Sequence, residues 1–222
     1  MDLFDRLRAA RPDDWRAYVA HPFVEGLGSG TLPAAAFQSY LVQDYLFLVQ
    51  FARAYALAVY KGRTLEDMRA AHAGLKAILD VEMDLHVRLC GRWGLSPRDL
   101  ERTPEARATT AYTRYVLDTG LRGDLLDLHV ALAPCVVGYA EIAAALAARP
   151  GALSESNPYR EWIAEYAGEP YREVAVAARA TLDRLAARAM TEARFEDLAS
   201  IFGQASRLEA DFWSQGLEVL GG

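Results

Sequence analysis

Only two of the 222 residues are cysteine, Cys90 and Cys135, far apart and without companions. Such a pair makes neither a disulfide framework nor a zinc motif. Basic residues are outnumbered, 24 against 30 acidic, and are scattered, giving a net charge of −6. Nucleic-acid binding rests on clustered Lys and Arg neutralising phosphates, so that class of partner is excluded. No apolar run reaches the 18 or so uninterrupted residues of a membrane span. The opening Met1-Asp2-Leu3-Phe4-Asp5 lacks the basic-then-apolar order of a secretory signal. These absences point to a cytoplasmic protein with reduced thiols and no membrane partner. There is also no Pro/Gly/Ser-rich linker and no internal repeat, so residues 1–222 are expected to form one domain. A chain of this length buries about 70% of its unfolded surface.

Strand-like blocks of alternating Val, Ile, Thr and aromatics are missing as well. Ala, Leu, Arg and Glu dominate instead, with apolar positions recurring every three or four residues. The expectation is an all-α bundle of eight or nine helical segments. Short helices cover 2–10 and 13–19, and His21-Pro22-Phe23 breaks the second. Gly26, Gly28 and Gly30 read as a loop, with Pro33 opening a long helix to about Tyr60 that is apolar nearly all round. Thr64 caps the next, with Asp67 at the capping-box position, and it runs as one half-exposed helix to Trp93. A loop from Leu95 leads to helices over 104–119, 123–148, 159–167, 169–189 and 195–220.

Several residues fit this pattern poorly. Pro134 stands inside the apolar helix 123–148, where a proline costs about 3 kcal/mol. Cys135, Gly138, Tyr139 and Ile142 then share one helical face. By itself the stretch reads as a kinked core helix with a buried cysteine. Asp44 lies among Tyr40, Phe47 and Phe51, and a buried aspartate needs a partner, so it marks a pocket or a buried network. Glu82 and His86, spaced i, i+4, read as a surface ion pair, because the di-iron Glu-x-x-His repeat is absent. Glu209, with Phe212 and Trp213 on its face, reads alone as an exposed charge. Together, a thiol, two carboxylates and aromatic side chains suit a flat, electron-poor, nitrogen-containing ring. Phe47, Tyr112, Tyr139, Tyr166 or Phe212 would stack on it. His129 lies on roughly the other face from Cys135, so a cysteine-protease pairing has no visible base.

Five motifs in order carry a resemblance. They are His21-Pro22-Phe23-Val24 with its glycines, Tyr40-Leu41-Val42-Gln43-Asp44-Tyr45, Pro134 to Ile142, Asn157-Pro158-Tyr159 with Trp162-Ile163 and Tyr166, and Glu209 with Phe212-Trp213. In these the chain resembles the TenA (thiaminase II) family, of heme-oxygenase-like helical fold. The resemblance implies a thiamin-salvage hydrolase that converts 4-amino-5-aminomethyl-2-methylpyrimidine to the 5-hydroxymethyl pyrimidine and ammonia. Thiamin itself is a further possible substrate. Cys135 is then the nucleophile, as in the family's cysteine-type branch. Asp44 grips the amino groups, and Glu209 serves the ring nitrogen as acid and base. Phe47, Tyr112, Tyr139, Tyr166 and Phe212 line the pocket, with Gly138 leaving room for substrate. Phe47 stands where the family pattern leads one to expect tyrosine, which removes a hydroxyl. No metal or organic cofactor is implied, and the expected assembly is a homotetramer. Two rival readings remain at this stage: a non-catalytic pyrimidine-binding or regulatory protein, and a metal-dependent oxidase using Glu82 and His86.

Overall fold

The computed structural model describes residues 1–219, which fold into helices with no strand among them. Leu220, the expected end of the last helix, lies outside the described residues. Three short helices open the chain: α1 (Leu3–Ala10), α2 (Pro12–Val19) and α3 (Pro22–Ser29). The glycine loop expected at Gly26 and Gly28 is therefore a helix. Its start is fixed by Pro22 at the first turn and by the His21 ring, which accepts from Phe23 N at 3.2 Å. Only Gly30, at φ 73°, takes the left-handed conformation that ends it.

The long helix α4 (Ala34–Lys61) follows. The single helix expected over 65–93 is instead α5 (Leu65–Ala77), a π-helical turn (Ile78–Glu82) and α6 (Met83–Gly91). The wider turn changes which side chains face inward, and such turns cluster at functional sites. Asp67 departs from its expected capping-box role: its backbone N–H reaches Thr64, but its carboxylate pairs with Arg184 and Arg188. Then come α7 (Pro97–Arg102), α8 (Arg107–Arg122), α9 (Leu125–Ala147), α10 (Arg160–Ala167), α11 (Glu169–Ala189) and α12 (Glu192–Glu218). The α7 turn replaces part of an expected loop, because Ser96 and Asp99 form a complete capping box.

One continuous apolar core runs through the molecule, built chiefly on α4, α9 and α12. Helix α9 is packed by α8, α10, α11 and α12. It is long and apolar enough to cross a membrane by length and composition, yet 72% of its apolar window is buried inside the fold. An aromatic cluster ties the three core helices together, with Trp213 of α12 packed against Tyr40 of α4 at 5.1 Å and Tyr139 of α9 at 5.3 Å.

Helix α9 continues through Pro134, whose carbonyl accepts from the Tyr18 hydroxyl at 3.3 Å. Gly138 does not open space for substrate, as the sequence suggested. A Cβ there would stand 2.5 Å from Tyr18 Cε1 and 2.8 Å from its hydroxyl oxygen. The glycine makes room for Tyr18, a fully buried ring in edge contact with Trp15 at 5.5 Å. Gly138→Ala is accordingly expected to destabilise the protein by about 1–3 kcal/mol through overpacking. Thermal unfolding checks this, and an unchanged melting temperature would show that the contact is soft.

Candidate active site

Asp44 sits mid-way along α4, where burial forbids an unpaired carboxylate. Three other helices supply its surroundings. His86 Nε2, from α6, lies 2.6 Å from Asp44 Oδ2, and the Tyr40 hydroxyl donates to the same oxygen at 2.8 Å. The other ring nitrogen of His86 donates to the Glu82 carbonyl at 2.8 Å. Trp162 of α10 donates its indole N–H to the Tyr40 oxygen at 3.2 Å, and the Tyr139 hydroxyl of α9 lies 3.5 Å from it. Burial works to lower the His86 pKa, but the Asp44 carboxylate outweighs it and holds the ring above its usual value. The result is a His86–Asp44 pair sealed from solvent. The expectation of a surface ion pair between Glu82 and His86 is thus overturned. The π turn rotates His86 into the core, where it is fully buried and meets a partner on another helix. Both of its ring nitrogens are engaged, so it offers none to a metal.

Glu209 of α12 is the second buried carboxyl, not the exposed charge that its sequence neighbourhood suggests. Tyr112 of α8 donates to its Oε1 at 2.9 Å, and the Cys135 thiol is its other side-chain partner. Burial pushes the Glu209 carboxyl up to about 8, with Asp44 adding to the rise and the two hydrogen bonds working against it. Burial also lifts the Cys135 thiol, helped by the negative fields of Glu209, Glu82 and Asp44. At neutral pH the site therefore rests with a neutral thiol beside a neutral carboxylic acid. A thiolate forms there only if the thiol gives up its proton, and Glu209 is the carboxyl beside it. This arrangement can shuttle a proton between sulfur and an incoming base while excluding water.

Cys135 opens onto a cavity of about 110 Å³, several times the space one water needs. Phe51, Tyr55, Tyr166 and Tyr171 give it aromatic walls, and Glu82 is among its few polar groups. Of the residues singled out in the sequence, Cys135 and Tyr166 line this cavity. Asp44, Glu209, Phe47, Tyr112, Tyr139 and Phe212 do not; they form the layer behind the thiol. Phe47 packs on Tyr112 at 5.0 Å and on Phe212 at 5.5 Å, while Tyr139 meets Tyr166 at 5.1 Å. The structure thus gathers all eight residues into one region but splits them between a cavity wall and its backing. Sequence reasoning missed Tyr55 and Tyr171 as lining residues. It also left Glu82 outside the site, because a straight helix over 65–93 would point it to solvent.

The family model described as TENA/THI-4/PQQC matches residues 9–218. The chain belongs to the TENA/THI-4/PQQC family. Its relatives include an aminopyrimidine aminohydrolase of Halalkalibacterium halodurans, 42% identical over 199 residues, covering 90% of this chain and 88% of that one. A solved structure described as a TenA family transcription regulator, from Silicibacter sp. TM1040, superposes with a TM-score of 0.92 at 43% identity. It covers 97% of this chain and 96% of its own. A domain with a heme oxygenase-like fold from Shewanella denitrificans, 12% identical, matches with a TM-score of 0.77 over 100% of this chain and 94% of its own. This TENA/THI-4/PQQC chain therefore has the all-α class that its apolar periodicity implied and the heme-oxygenase-like architecture that the family resemblance implied.

The Glu209 environment has a thermodynamic consequence. A carboxyl near 4.5 in the unfolded chain and about 8 in the fold binds a proton only in the native state between those values. Stability is therefore expected to fall as pH rises from about 4.5 to 8, by an amount on the order of a few kcal/mol. Glu209→Gln removes that slope. Across melting curves from pH 5 to 8.5 the variant should gain stability relative to wild type as pH rises; a difference that does not change with pH would contradict the raised value.

Proposed function

We propose that this chain is an aminopyrimidine aminohydrolase of thiamin salvage, acting by cysteine covalent catalysis. The observation that carries this reading is the Cys135 thiol at the cavity wall with the Glu209 carboxyl as its side-chain partner. The 42% identical relative named for that activity supports it. The substrate is 4-amino-5-aminomethyl-2-methylpyrimidine, and thiamin is a second candidate. The chain is a single catalytic domain, works as a homotetramer in the cytoplasm, and needs no metal or organic cofactor.

An amine on a methylene is a poor leaving group for direct displacement. The sulfur of Cys135 instead adds to the ring carbon beside the one bearing the methylene, and the displaced electron pair moves to the ring nitrogen. Glu209 protonates that nitrogen while taking the thiol proton, so no free thiolate has to exist in an apolar wall. The electron-rich ring then expels the amine as ammonia, leaving an exocyclic methylene. Water adds to that carbon, the C–S bond breaks, and Glu209 recovers its proton balance. Two modest barriers thereby replace one high one.

Asp44 grips the ring's amino group. Its carboxylate is fixed in place by His86 and Tyr40. The ring reaches it from the cavity by seating against Tyr139 and Tyr166 as the floor around Cys135 gives way. Phe47, Tyr112 and Phe212 close over the ring edge, and Phe47 lacks the hydroxyl that a tyrosine there would offer.

The deciding experiment is ammonia release across a small panel of aminopyrimidines and thiamin, run beside Cys135→Ala. The expected loss in that variant is about 10³-fold or more, with an unchanged circular dichroism spectrum and melting curve. Full activity without the thiol would end the covalent mechanism. Tight pyrimidine binding by the wild type with no product at all would move the protein to a non-catalytic, ligand-binding role.

A further inference from the structure

One carboxyl group at the cavity has no part in the chemistry above. Glu82 closes the π turn: its backbone carbonyl holds His86, while its side chain lines the cavity that Cys135 also lines. Glu82 Oε1 accepts from the Tyr166 hydroxyl at 3.2 Å, and among the described residues no Lys or Arg forms an ion pair with it. Much of the rest of that wall is apolar: Phe51, Ile78, Val136 and Val174. The site's other two carboxyls are already committed, Asp44 to His86 and Tyr40, Glu209 to Tyr112 and the thiol. A cationic group entering this cavity therefore meets Glu82, with Glu165 as the second acidic side chain on the lining.

The substrate of the reaction proposed above carries such a group, since an alkyl amine is protonated at neutral pH. We propose that Glu82 is the amine-recognition residue of the cavity, whose carboxylate holds the substrate's aminomethyl group as an ammonium and then takes a proton from the water that replaces it. This rests on the aminohydrolase reading and gives its leaving group a partner. The C–N bond breaks with its electron pair going to nitrogen, so the ammonium departs as ammonia. Water oxygen bonds to the exocyclic carbon, and the proton it loses goes to the Glu82 carboxylate. Glu82 passes that proton to ammonia, which leaves as an ammonium ion. Substrate ammonium and water have become alcohol and ammonium.

The groups facing Glu82 suit that task. His86 of α6 contributes positive charge; Asp44 of α4 and Glu165 of α10 contribute negative charge; Tyr55, Cys135, Tyr166 and Tyr171 come from α4, α9, α10 and α11. Burial pushes the carboxyl up to about 7, with His86 and the Tyr166 hydroxyl opposing and the two acidic neighbours assisting. A group poised there exchanges its proton readily near neutrality. In the free enzyme it must be ionised to take an ammonium, so activity at low substrate should rise with pH through about 7.

The test is calorimetric binding in a Cys135→Ala background, which prevents turnover, using the aminomethyl pyrimidine and its neutral hydroxymethyl counterpart at pH 8. Adding Glu82→Gln is expected to weaken aminomethyl binding about tenfold or more while leaving hydroxymethyl binding within about twofold. Glu82→Asp, which keeps the charge, should retain part of the preference. With Cys135 intact, Glu82→Gln should also lose the acidic limb of the kcat/KM profile. Equal weakening for both ligands, or no weakening, overturns the assignment while leaving the aminohydrolase reading in place. Wild-type protein that neither binds nor converts any aminopyrimidine brings down both.

Discussion

The buried pair between His86 and Asp44 is the constraint from which much of the site follows. Two charges removed from water require close geometry and further hydrogen bonds, or they lose more in desolvation than they gain in attraction. Here Tyr40, Trp162 and the Glu82 carbonyl supply those bonds, drawing on α4, α6, α10 and the π turn. Removing one partner from such a pair typically costs 3–5 kcal/mol. The network is therefore expensive to disturb, and that stiffness fixes the position of Asp44.

The pair also sets the electrostatics of its neighbours. The negative field of Asp44 is among the causes that raise the Glu209, Glu82 and Cys135 values, after burial itself. An apolar interior holding three acids and a thiol can keep only some of them ionised. Asp44 has His86 and Tyr40 as partners, whereas Glu209 and Cys135 hold their protons at neutral pH. This division of protonation states is what makes a proton relay available without a free thiolate or a catalytic histidine.

The helical class and the long central helices were legible in the chain, because apolar period is local. Thr64 marks a helix start by a bond that reaches three positions along the chain, whereas Ser96 and Pro22, read as a loop and a helix break, turned out to start α7 and α3. The π turn at Ile78–Glu82 was not legible: inserting one residue into a helical register leaves no compositional mark, and it misplaced both Glu82 and His86. Gly138 was misread for a similar reason. Its need for space comes from Tyr18, distant in sequence, and no window around the glycine contains that ring.

The sequence by itself determined the fold class, the family motifs and the identity of the chemically capable residues, since each depends on residue type and near-neighbour spacing. Only the tertiary structure decided which of them touch the cavity and in what protonation state. Cys135 reaches open space while Phe47 and Phe212 pack behind it, and Glu209 is neutral while Asp44 is paired. Those outcomes depend on desolvation and on partners brought from other helices, and neither quantity exists until the chain is folded.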